Sequence, residues 1–202
     1  MNDLYRFDQR LRRKYSCRHL AGVDEAGRGP LAGPLVAAAV ILPADFTLEE
    51  INDSKKLTPR RRECLYDIIR KHSLAYAASA VRPSTIDSIN IFNAAYLAMY
   101  RAVNRLSVKP GAVLVDGPFE VKKLRCAQEA VVKGDSRSMC VAAASIMAKV
   151  TRDRYMDSQD RKYPHYGFID HKGYPTRKHY AAIRKHGVTP LHRRSFNLKD
   201  AE

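Results

Sequence analysis

Two adjacent carboxylates, Asp24 and Glu25, stand directly before a Gly27-Arg28-Gly29 turn in an otherwise apolar stretch. A carboxylate in apolar surroundings costs free energy unless it is paired or holds a cation. Glycine has no side chain, so the backbone of this turn can approach a substrate closely. The combination predicts a metal-dependent site that acts on a phosphodiester.

Two further acids, Asp116 and Asp135, come where apolar segments of the sequence stop. Each could be an ordinary turn residue with no role in a site, and Asp135 could simply cap the alanine-rich helix that follows it. Taken with Asp24, they predict a cluster of carboxylates at three strand ends. Such acids repel one another unless a cation holds them, and their hard oxygens favour Mg²⁺ or Mn²⁺ over zinc.

Two such ions could clamp both the attacking and the leaving oxygen of a phosphodiester displacement, and no protein nucleophile is then required. Side chains alternate faces along a strand, so Asp24 and Glu25 can both face the ions only if the strand ends or bulges there. Asp24 is therefore the better candidate for a bridging ligand. Glu25 could instead use its backbone carbonyl or act one shell further out.

The charge of the chain indicates the partner. It has 202 residues, with 36 Lys and Arg against 21 Asp and Glu, and a formal net charge of +15. This excess favours a polyanion, most simply nucleic acid. A role in solubility alone would be served equally well by acids.

Cysteine and histidine spacings give no sign of a zinc site. The four cysteines are expected to be reduced thiols in a cytoplasmic monomer, because the N-terminus is charged rather than a secretory signal. The longest apolar run, 35–42, is too short to cross a membrane. Five late histidines are expected to be solvated or to face phosphate: His165, His171, His179, His186 and His192.

The apolar pattern predicts the elements that must position the acids. We expect strands at 20–24, 35–42, 74–81, 112–115 and 129–133. We expect helices around 4–11, from Thr58-Pro59, at 91–106, from 136 to about 156, and from Thr176 to Gly187.

This order predicts an α/β fold with a five-stranded mixed sheet flanked by helices, in which the antiparallel part comes first. Residues 1–202 would form a single domain, with 1–19 as a helical lead-in and 176–202 as a C-terminal helix and tail. Ligand sites in such sheets gather at the carboxyl ends of parallel strands. Asp24 and Asp116 would share that edge if their strands are neighbours.

Seven motifs follow one another along the chain: AGVDEAGRGPLAGP at 21–34, INDSKKL at 51–57, VLVDG at 113–117, KGD at 133–135, AASIMAKVTRD at 143–153, HKGY at 171–174 and HRRSF at 192–196. The first motif is highly specific, and the short ones gain weight from their order. In these motifs the chain resembles bacterial ribonuclease HII from about residue 20 to 196.

The resemblance implies the ribonuclease H-like fold and four metal-binding acids, which fall on Asp24, Glu25, Asp116 and Asp135. It implies hydrolysis of the RNA strand of RNA–DNA hybrids, and incision 5′ of single ribonucleotides in duplex DNA. The products would carry a 3′-hydroxyl and a 5′-phosphate.

The resemblance also implies substrate contacts. The backbone of Gly27, Arg28 and Gly29 would read the 2′-hydroxyl, the group that distinguishes RNA from DNA. Tyr174 would stack on the sugar that follows the ribonucleotide.

Phosphate contacts are expected from two places. Lys55 lies in a loop that matches the family. Ser145, Lys149 and Arg152 form one stripe of the alanine-rich helix, which could equally be a solvated face.

Two other readings compete with this one. The related ribonuclease HIII type carries an extra N-terminal domain and a lysine where Arg28 stands, and this chain has about twenty residues before its first strand. A basic protein that binds nucleic acid without cutting it would explain the charge. It would give no reason for acids at three strand ends.

Overall fold

The central sheet has five strands in the order β3-β2-β1-β4-β5. The computed structural model describes residues 3–51 and 57–199. The strands are β1 (Leu20–Ala26), β2 (Leu35–Ile41), β3 (Ala75–Val81), β4 (Ala112–Asp116) and β5 (Ala127–Val131). β1, β2 and β3 pair antiparallel, whereas β1–β4 and β4–β5 are parallel. The predicted mixed sheet and its strand directions are confirmed, and the first and fourth strands are neighbours, the condition under which Asp24 and Asp116 share one edge.

Seven α-helices surround the sheet within the described residues. They are α1 (Asp3–Lys14), α2 (Pro59–His72), α3 (Pro83–Ile89), α4 (Ile91–Asn104), α5 (Met139–Asp160), α6 (Phe168–His171) and α7 (Arg177–His186). α4 packs on one face of the sheet, and α5 packs on the other together with α1 and α2. The predicted helices are all present. α3 and α6 are short and had no clear periodic signal.

β2 is an unbroken apolar run because both of its faces are covered. Every residue from Leu35 to Ile41 is buried. Ala37 and Ala39 pack in the cluster with α4, and Ala38 and Val40 pack in the cluster with α5. A strand with two covered faces gains from apolar residues at every position, so its sequence does not alternate.

Several boundaries differ from the sequence expectations. β1 continues two residues past Asp24, so this acid lies inside the strand rather than at its end. β5 begins and ends two residues earlier than expected. α5 begins at Met139, because Ser138 is its N-cap and accepts a hydrogen bond from the Val141 amide at 3.2 Å. Asp135 therefore does not cap this helix.

The C-terminal segment is part of the fold rather than a loose tail. Leu191 packs with Leu31, Ala32 and Met156 in a separate apolar cluster beside α6 and α7. The Arg193 amide donates to the Leu31 carbonyl at 2.8 Å, so the segment is also hydrogen-bonded to the loop that follows β1. Within the residues that the structure describes, the helices are all too short or too polar to span a membrane.

Gly22 lets α5 lie directly against β1. A Cβ at this position would come within 3.0 Å of the Cys140 carbonyl carbon and the Val141 amide nitrogen. Both are backbone atoms at the start of α5, so they cannot rotate away as a side chain could. The glycine therefore sets the distance between the strand that carries Asp24 and the helix that carries Ser145.

We expect Gly22→Ala to lower the free energy of unfolding by about 3 kcal/mol or more, because the methyl group forces α5 off the sheet. Thermal unfolding would report this as a fall in Tm on the order of 10 °C. Gly29→Ala is the matched control, because the nearest atom to a Cβ there lies 3.8 Å away. A Tm for Gly22→Ala equal to that of the control would contradict this account.

Candidate active site

A cleft of about 420 Å³ opens at the carboxyl ends of β1 and β4. It gathers most of the predicted site residues, which the sequence keeps far apart. Its lining consists of Asp24, Glu25, Ala26, Gly27, Arg28, Gly29, Arg62, Asp116, Ser145, Lys149 and Tyr174. The sheet edge on which sequence reasoning placed Asp24 and Asp116 is thus the floor of a single cleft.

Asp24 and Asp116 are brought together by parallel pairing. The β1–β4 register runs to Val23 opposite Val115, and each acid is the next residue on its strand. The floor of the cleft therefore begins where the two strands part. This placement follows from strand order, since the two residues are 92 positions apart in the sequence.

Asp24 and Glu25 point to opposite faces of the sheet, because β1 pairs regularly with β2 through both residues. Asp24 faces α5, where the Ser145 hydroxyl donates a hydrogen bond to its carboxylate. Glu25 faces α4 and accepts a hydrogen bond from the Arg28 guanidinium at 3.2 Å. The strand neither ends nor bulges at these acids, yet both line the cleft.

Burial and mutual repulsion make the ionised forms of these carboxylates unfavourable. Desolvation by burial, followed by repulsion from Glu25 and Asp116, raises the pKa of Asp24 well above its usual range. Burial also raises the pKa of Glu25, and the Arg28 charge counteracts part of that effect. A cation would relieve both penalties.

A hydrogen bond connects Asp116 to the residue that precedes Asp135. The Gly134 amide donates to Asp116 Oδ1 at 2.6 Å. Asp135 follows in the short 3-10 turn Gly134–Ser136 and is buried. The other three predicted acids line the cleft, whereas Asp135 is not among its lining residues.

The side chains that line the cleft are of the chemical type that binds a hard divalent cation. Asp24, Glu25 and Asp116 offer carboxylate oxygens to one cleft, which are the ligands that Mg²⁺ and Mn²⁺ take. In the described part of the chain, no three Asp, Glu, His or Cys side chains are arranged to hold a metal ion. Protein donors hold the carboxylates instead, including the Glu25 amide at 2.7 Å from Asp24 Oδ1.

The Gly27-Arg28-Gly29 turn is held from behind by a buried arginine near the C-terminus. Arg193 is fully buried and donates from Nε to the Gly33 carbonyl at 3.0 Å, from Nη1 to the Arg28 carbonyl at 3.0 Å, and from Nη2 to the Gly27 carbonyl at 2.6 Å. Two carbonyls of the turn are thus directed into the protein, away from the cleft that the turn lines.

Arg152 supports the same loop, which corrects its expected place in a phosphate-binding stripe. It is fully buried and donates to the carbonyls of Pro34, Ala32 and Lys172 at 3.0, 3.1 and 2.9 Å. Gly27, at φ +98°, is needed here because a Cβ would come within 3.0 Å of the Arg152 guanidinium. Ser145 and Lys149 of that stripe do reach the cleft.

Tyr174 and Lys149 form one wall of the cleft. The Lys149 ammonium lies 5.6 Å from the centre of the Tyr174 ring and pairs with Asp153 at 2.8 Å. Tyr174 keeps more than a third of its surface exposed, so its ring is available to a ligand. Lys55, the remaining predicted contact, lies outside the described residues.

Two residues near the cleft were missed by sequence reasoning. Arg62 of α2 lines the cleft and donates to the Leu57 carbonyl at 2.6 Å. Phe92, at the start of α4, is 60% exposed, and its ring centre lies 4.9 Å from the Arg28 guanidinium. A lone arginine in a basic helix and a phenylalanine in an apolar helix carry no signal that sets them apart.

Three of the late histidines are buried, so the expectation of a solvated or phosphate-facing role is wrong for them. His171 and His179 stack with ring centres 4.5 Å apart, and the Nε2 atoms of His179 and His192 are 3.2 Å apart. Burial lowers the pKa values of His179 and His192 to about 4. His165 and His186 are exposed and stack on each other. All four cysteines are free thiols, as expected.

The sequence profile of the family described as Ribonuclease HII matches residues 21–199. The chain belongs to the ribonuclease HII family. It is therefore a hydrolase of the ribonuclease H type, an activity directed at RNA–DNA hybrids.

Curated relatives agree with this assignment. The ribonuclease HII of Endomicrobium trichonymphae is 48% identical over 196 residues, which cover 97% of this chain and 93% of that protein. The ribonuclease HII of Desulfitobacterium hafniense DCB-2 is 52% identical over 178 residues, covering 88% of this chain and 68% of that protein.

Solved structures agree as well. The ribonuclease H2 of Pyrococcus horikoshii aligns with a TM-score of 0.74 at 31% identity, over 89% of this chain and 94% of that one. The Archaeoglobus fulgidus ribonuclease HII, solved in complex with PCNA, aligns with a TM-score of 0.73 at 28% identity, over 91% and 98%. Bst-RNase HIII in complex with Mn²⁺ shares the fold, with a TM-score of 0.69 at 18% identity.

We expect Arg193→Lys to lower the free energy of unfolding by about 3 kcal/mol, because one ammonium cannot replace three guanidinium hydrogen bonds to buried carbonyls. Cleavage should fall as well, since the turn loses its support. Arg194→Lys is the matched control, because the Arg194 side chain is exposed. Urea unfolding would measure both variants, and equal stabilities would argue against the role of Arg193.

The buried histidines predict a pH dependence of stability. Their folded-state pKa values of about 4 lie below the ordinary value of 6.5. Neutral rings therefore stabilise the fold fully above pH 6.5, and this contribution is lost as the pH falls toward 4. The stability advantage of the protein over His192→Gln should shrink by about 2 kcal/mol between pH 7.5 and pH 5.

Because Asp24 and Glu25 have raised pKa values, their contribution has the opposite sign, but it is common to both proteins in this comparison. Urea unfolding at each pH gives the difference directly. His165→Gln, at an exposed position, is the matched control. A constant difference for His192→Gln would contradict the prediction.

Proposed function

We propose that this cleft hydrolyses the RNA strand of RNA–DNA hybrids and incises 5′ of single ribonucleotides embedded in duplex DNA. The products carry a 3′-hydroxyl and a 5′-phosphate, and the biological role is ribonucleotide removal from DNA. The supporting observation is that carboxylates from two adjacent parallel strands share one cleft with a glycine turn, in a chain of the ribonuclease HII family.

Asp24, Glu25, Asp116 and Asp135 are the residues that would hold divalent ions, Mg²⁺ or Mn²⁺. When bound, such ions activate water and stabilise the leaving oxygen of a phosphodiester. Asp24 would be the principal ligand, because it is buried and both Glu25 and Asp116 repel its charge, so that its ionised form is unfavourable without a cation. Asp135 would join them from the turn Gly134–Ser136, whose Gly134 amide already binds Asp116.

The protein's own residues account for selection of the ribonucleotide. Arg193 turns the carbonyls of Gly27 and Arg28 inward, so the turn meets a 2′-hydroxyl with its main chain and with no side chain at either glycine. Tyr174, whose ring lies beside Gly29, stacks on the sugar that follows. Lys149 and Ser145 approach the phosphate, together with Arg28 and, by its sequence motif, Lys55.

The release of Arg28 is part of substrate binding in this proposal. Its guanidinium now lies between the Glu25 carboxylate and the Phe92 ring. A phosphate would compete with Glu25 for this group and leave the Glu25 oxygens to a cation. Arg28 thus neutralises Glu25 in the absence of substrate and turns to the nucleic acid when substrate arrives.

The remaining parts of the proposal concern context. The net charge of +15 suits a duplex that contacts the protein on more than one side of the cleft. A cytoplasmic monomer is the proposed state. The alternative within the nuclease class is a substrate preference like that of ribonuclease HIII. The identities of 48% and 52% to ribonucleases HII favour the ribonuclease HII activity over this alternative.

We expect Asp24→Asn to reduce cleavage by about a hundredfold or more while the folded state is retained. Removal of a buried, repelled charge should even raise Tm when divalent ions are absent. The assay uses a DNA duplex with one ribonucleotide, with Mg²⁺, with Mn²⁺ and with chelator, and product ends are read on a gel. Asp45→Asn, at an exposed position, is the matched control.

Other outcomes would decide against the proposal. Efficient cleavage of a stretch of ribonucleotides, with the single ribonucleotide left intact, would favour the ribonuclease HIII-like alternative. Tight binding without incision under any divalent ion would indicate a non-catalytic nucleic-acid-binding protein. Cleavage in the presence of chelator would refute the metal-dependent mechanism.

A further inference from the structure

We propose that the buried pair His179–His192 is a positioning device for Tyr174, which it holds through a chain of hydrogen bonds that ends on the Tyr174 carbonyl. The proposal rests on the proposed function only for what Tyr174 does to the substrate. Its structural part, that the two imidazoles fix the place of Tyr174, stands on contacts among described residues.

The hydrogen-bond chain has a single consistent direction. The Thr189 amide donates to Nδ1 of His192 at 2.9 Å, so the ring proton of a neutral His192 lies on Nε2. That nitrogen faces Nε2 of His179 at 3.2 Å and donates to it. The ring proton of His179 is therefore on Nδ1, which donates to the Tyr174 carbonyl at 2.9 Å.

Both rings must be neutral for this chain to exist. A proton added to His179 would place two N–H groups against each other between the rings. The site disfavours such a proton, because both imidazoles are buried and, among the residues that the structure describes, no carboxylate hydrogen-bonds to either. The pair thus transmits the position of the C-terminal segment, at Thr189, to the Tyr174 backbone.

Contacts of the neighbouring residues also help to hold Tyr174 in place. The Gly173 amide donates to Nδ1 of His171 at 3.1 Å, and the Gly173 carbonyl accepts from the Leu31 amide at 2.8 Å. The Arg152 guanidinium lies 5.7 Å from the centre of the Tyr174 ring. The loop that carries Tyr174 is therefore hydrogen-bonded on one side to Leu31, which follows the Gly27–Gly29 turn, and on the other side to the buried histidines.

Packing alone does not require these residue types. An apolar side chain could fill either position beside Phe168, whose ring lies 5.6 Å from that of His179 and 6.1 Å from that of His192. At position 192 it would remove the hydrogen-bond partner of the Thr189 amide, and at position 179 it would leave the Tyr174 carbonyl with the Thr176 amide alone, at 2.9 Å. Two nitrogens on each ring, both engaged, are what a connection between two backbone groups needs.

The experiment compares two substitutions at one position. His179→Leu removes both ring nitrogens, whereas His179→Asn retains an amide donor near the place of Nδ1. His186→Asn is the matched control, because His186 lies on the same helix, is exposed and is outside the hydrogen-bond chain. Tyr174→Ala shows what loss of the ring itself does.

Two readouts are taken on the parent protein and on the His179 and His186 variants, and the first alone is taken on Tyr174→Ala. The first is the ratio of kcat/KM on a duplex with one ribonucleotide to kcat/KM on a uniform RNA–DNA hybrid, with kcat and KM determined separately. The second is the ¹⁹F NMR signal of 3-fluorotyrosine incorporated at position 174, recorded without substrate. The second readout does not depend on activity.

We expect His179→Leu to shift or broaden the ¹⁹F signal and to lower the ratio by about threefold to tenfold, the value of one or two neutral hydrogen bonds. The loss should fall mainly on kcat, because the sugar is misaligned rather than unbound. His179→Asn should restore most of both readouts, and His186→Asn should change neither.

A purely structural role would give a different pattern. If His179→Leu lowers Tm and reduces both activities equally, with the ¹⁹F signal unchanged, the positioning proposal is overturned. It is also overturned if Tyr174→Ala changes the ratio and His179→Leu does not. If the ¹⁹F signal moves while neither variant changes the ratio, positioning stands and the proposed sugar contact of Tyr174 fails.

Discussion

Two buried guanidinium groups hold the cleft in shape. Arg152 and Arg193 are both fully buried, and each donates hydrogen bonds to backbone carbonyls of the loop between β1 and β2, while Nη1 of Arg152 has no hydrogen-bond partner among the described residues. Burial lowers the pKa of each, and for Arg193 the charge of Arg152 adds to the effect. Two like charges in one interior are unfavourable, so the loop carbonyls and the nearby aromatic rings must compensate them together.

The consequence is a loop whose two sides have different tasks. Carbonyls of Gly27, Arg28 and Gly33 face the arginines, while the glycine turn lines the cleft. Arg152 also binds the Lys172 carbonyl and thereby joins this loop to the segment that carries Tyr174. The parts of the cleft proposed to recognise sugar thus share one support, separate from the sheet that carries the acids.

The acids follow a simpler rule. Parallel pairing of β1 with β4 places Asp24 and Asp116 one residue past the last paired positions, and Gly22 allows α5 to bring Ser145 to the same place. The fold therefore assembles mutually repelling carboxylates at the one edge where the strands separate. The packing of the sheet and of α5 offsets the free-energy cost of this repulsion, and a bound cation would remove the repulsion itself.

The sequence by itself determined the α/β class, the strand directions and the family, and it indicated which acids to examine, because apolar periodicity and short motifs are local properties of the chain. It did not reveal that Arg152 and Arg193 are structural, that His179 and His192 touch, or that Phe92 stacks on Arg28. Their environments are made by residues distant in the chain. Tertiary structure alone decides whether an arginine meets phosphate or a carbonyl, since burial and partners, not residue type, set the energy of a charge.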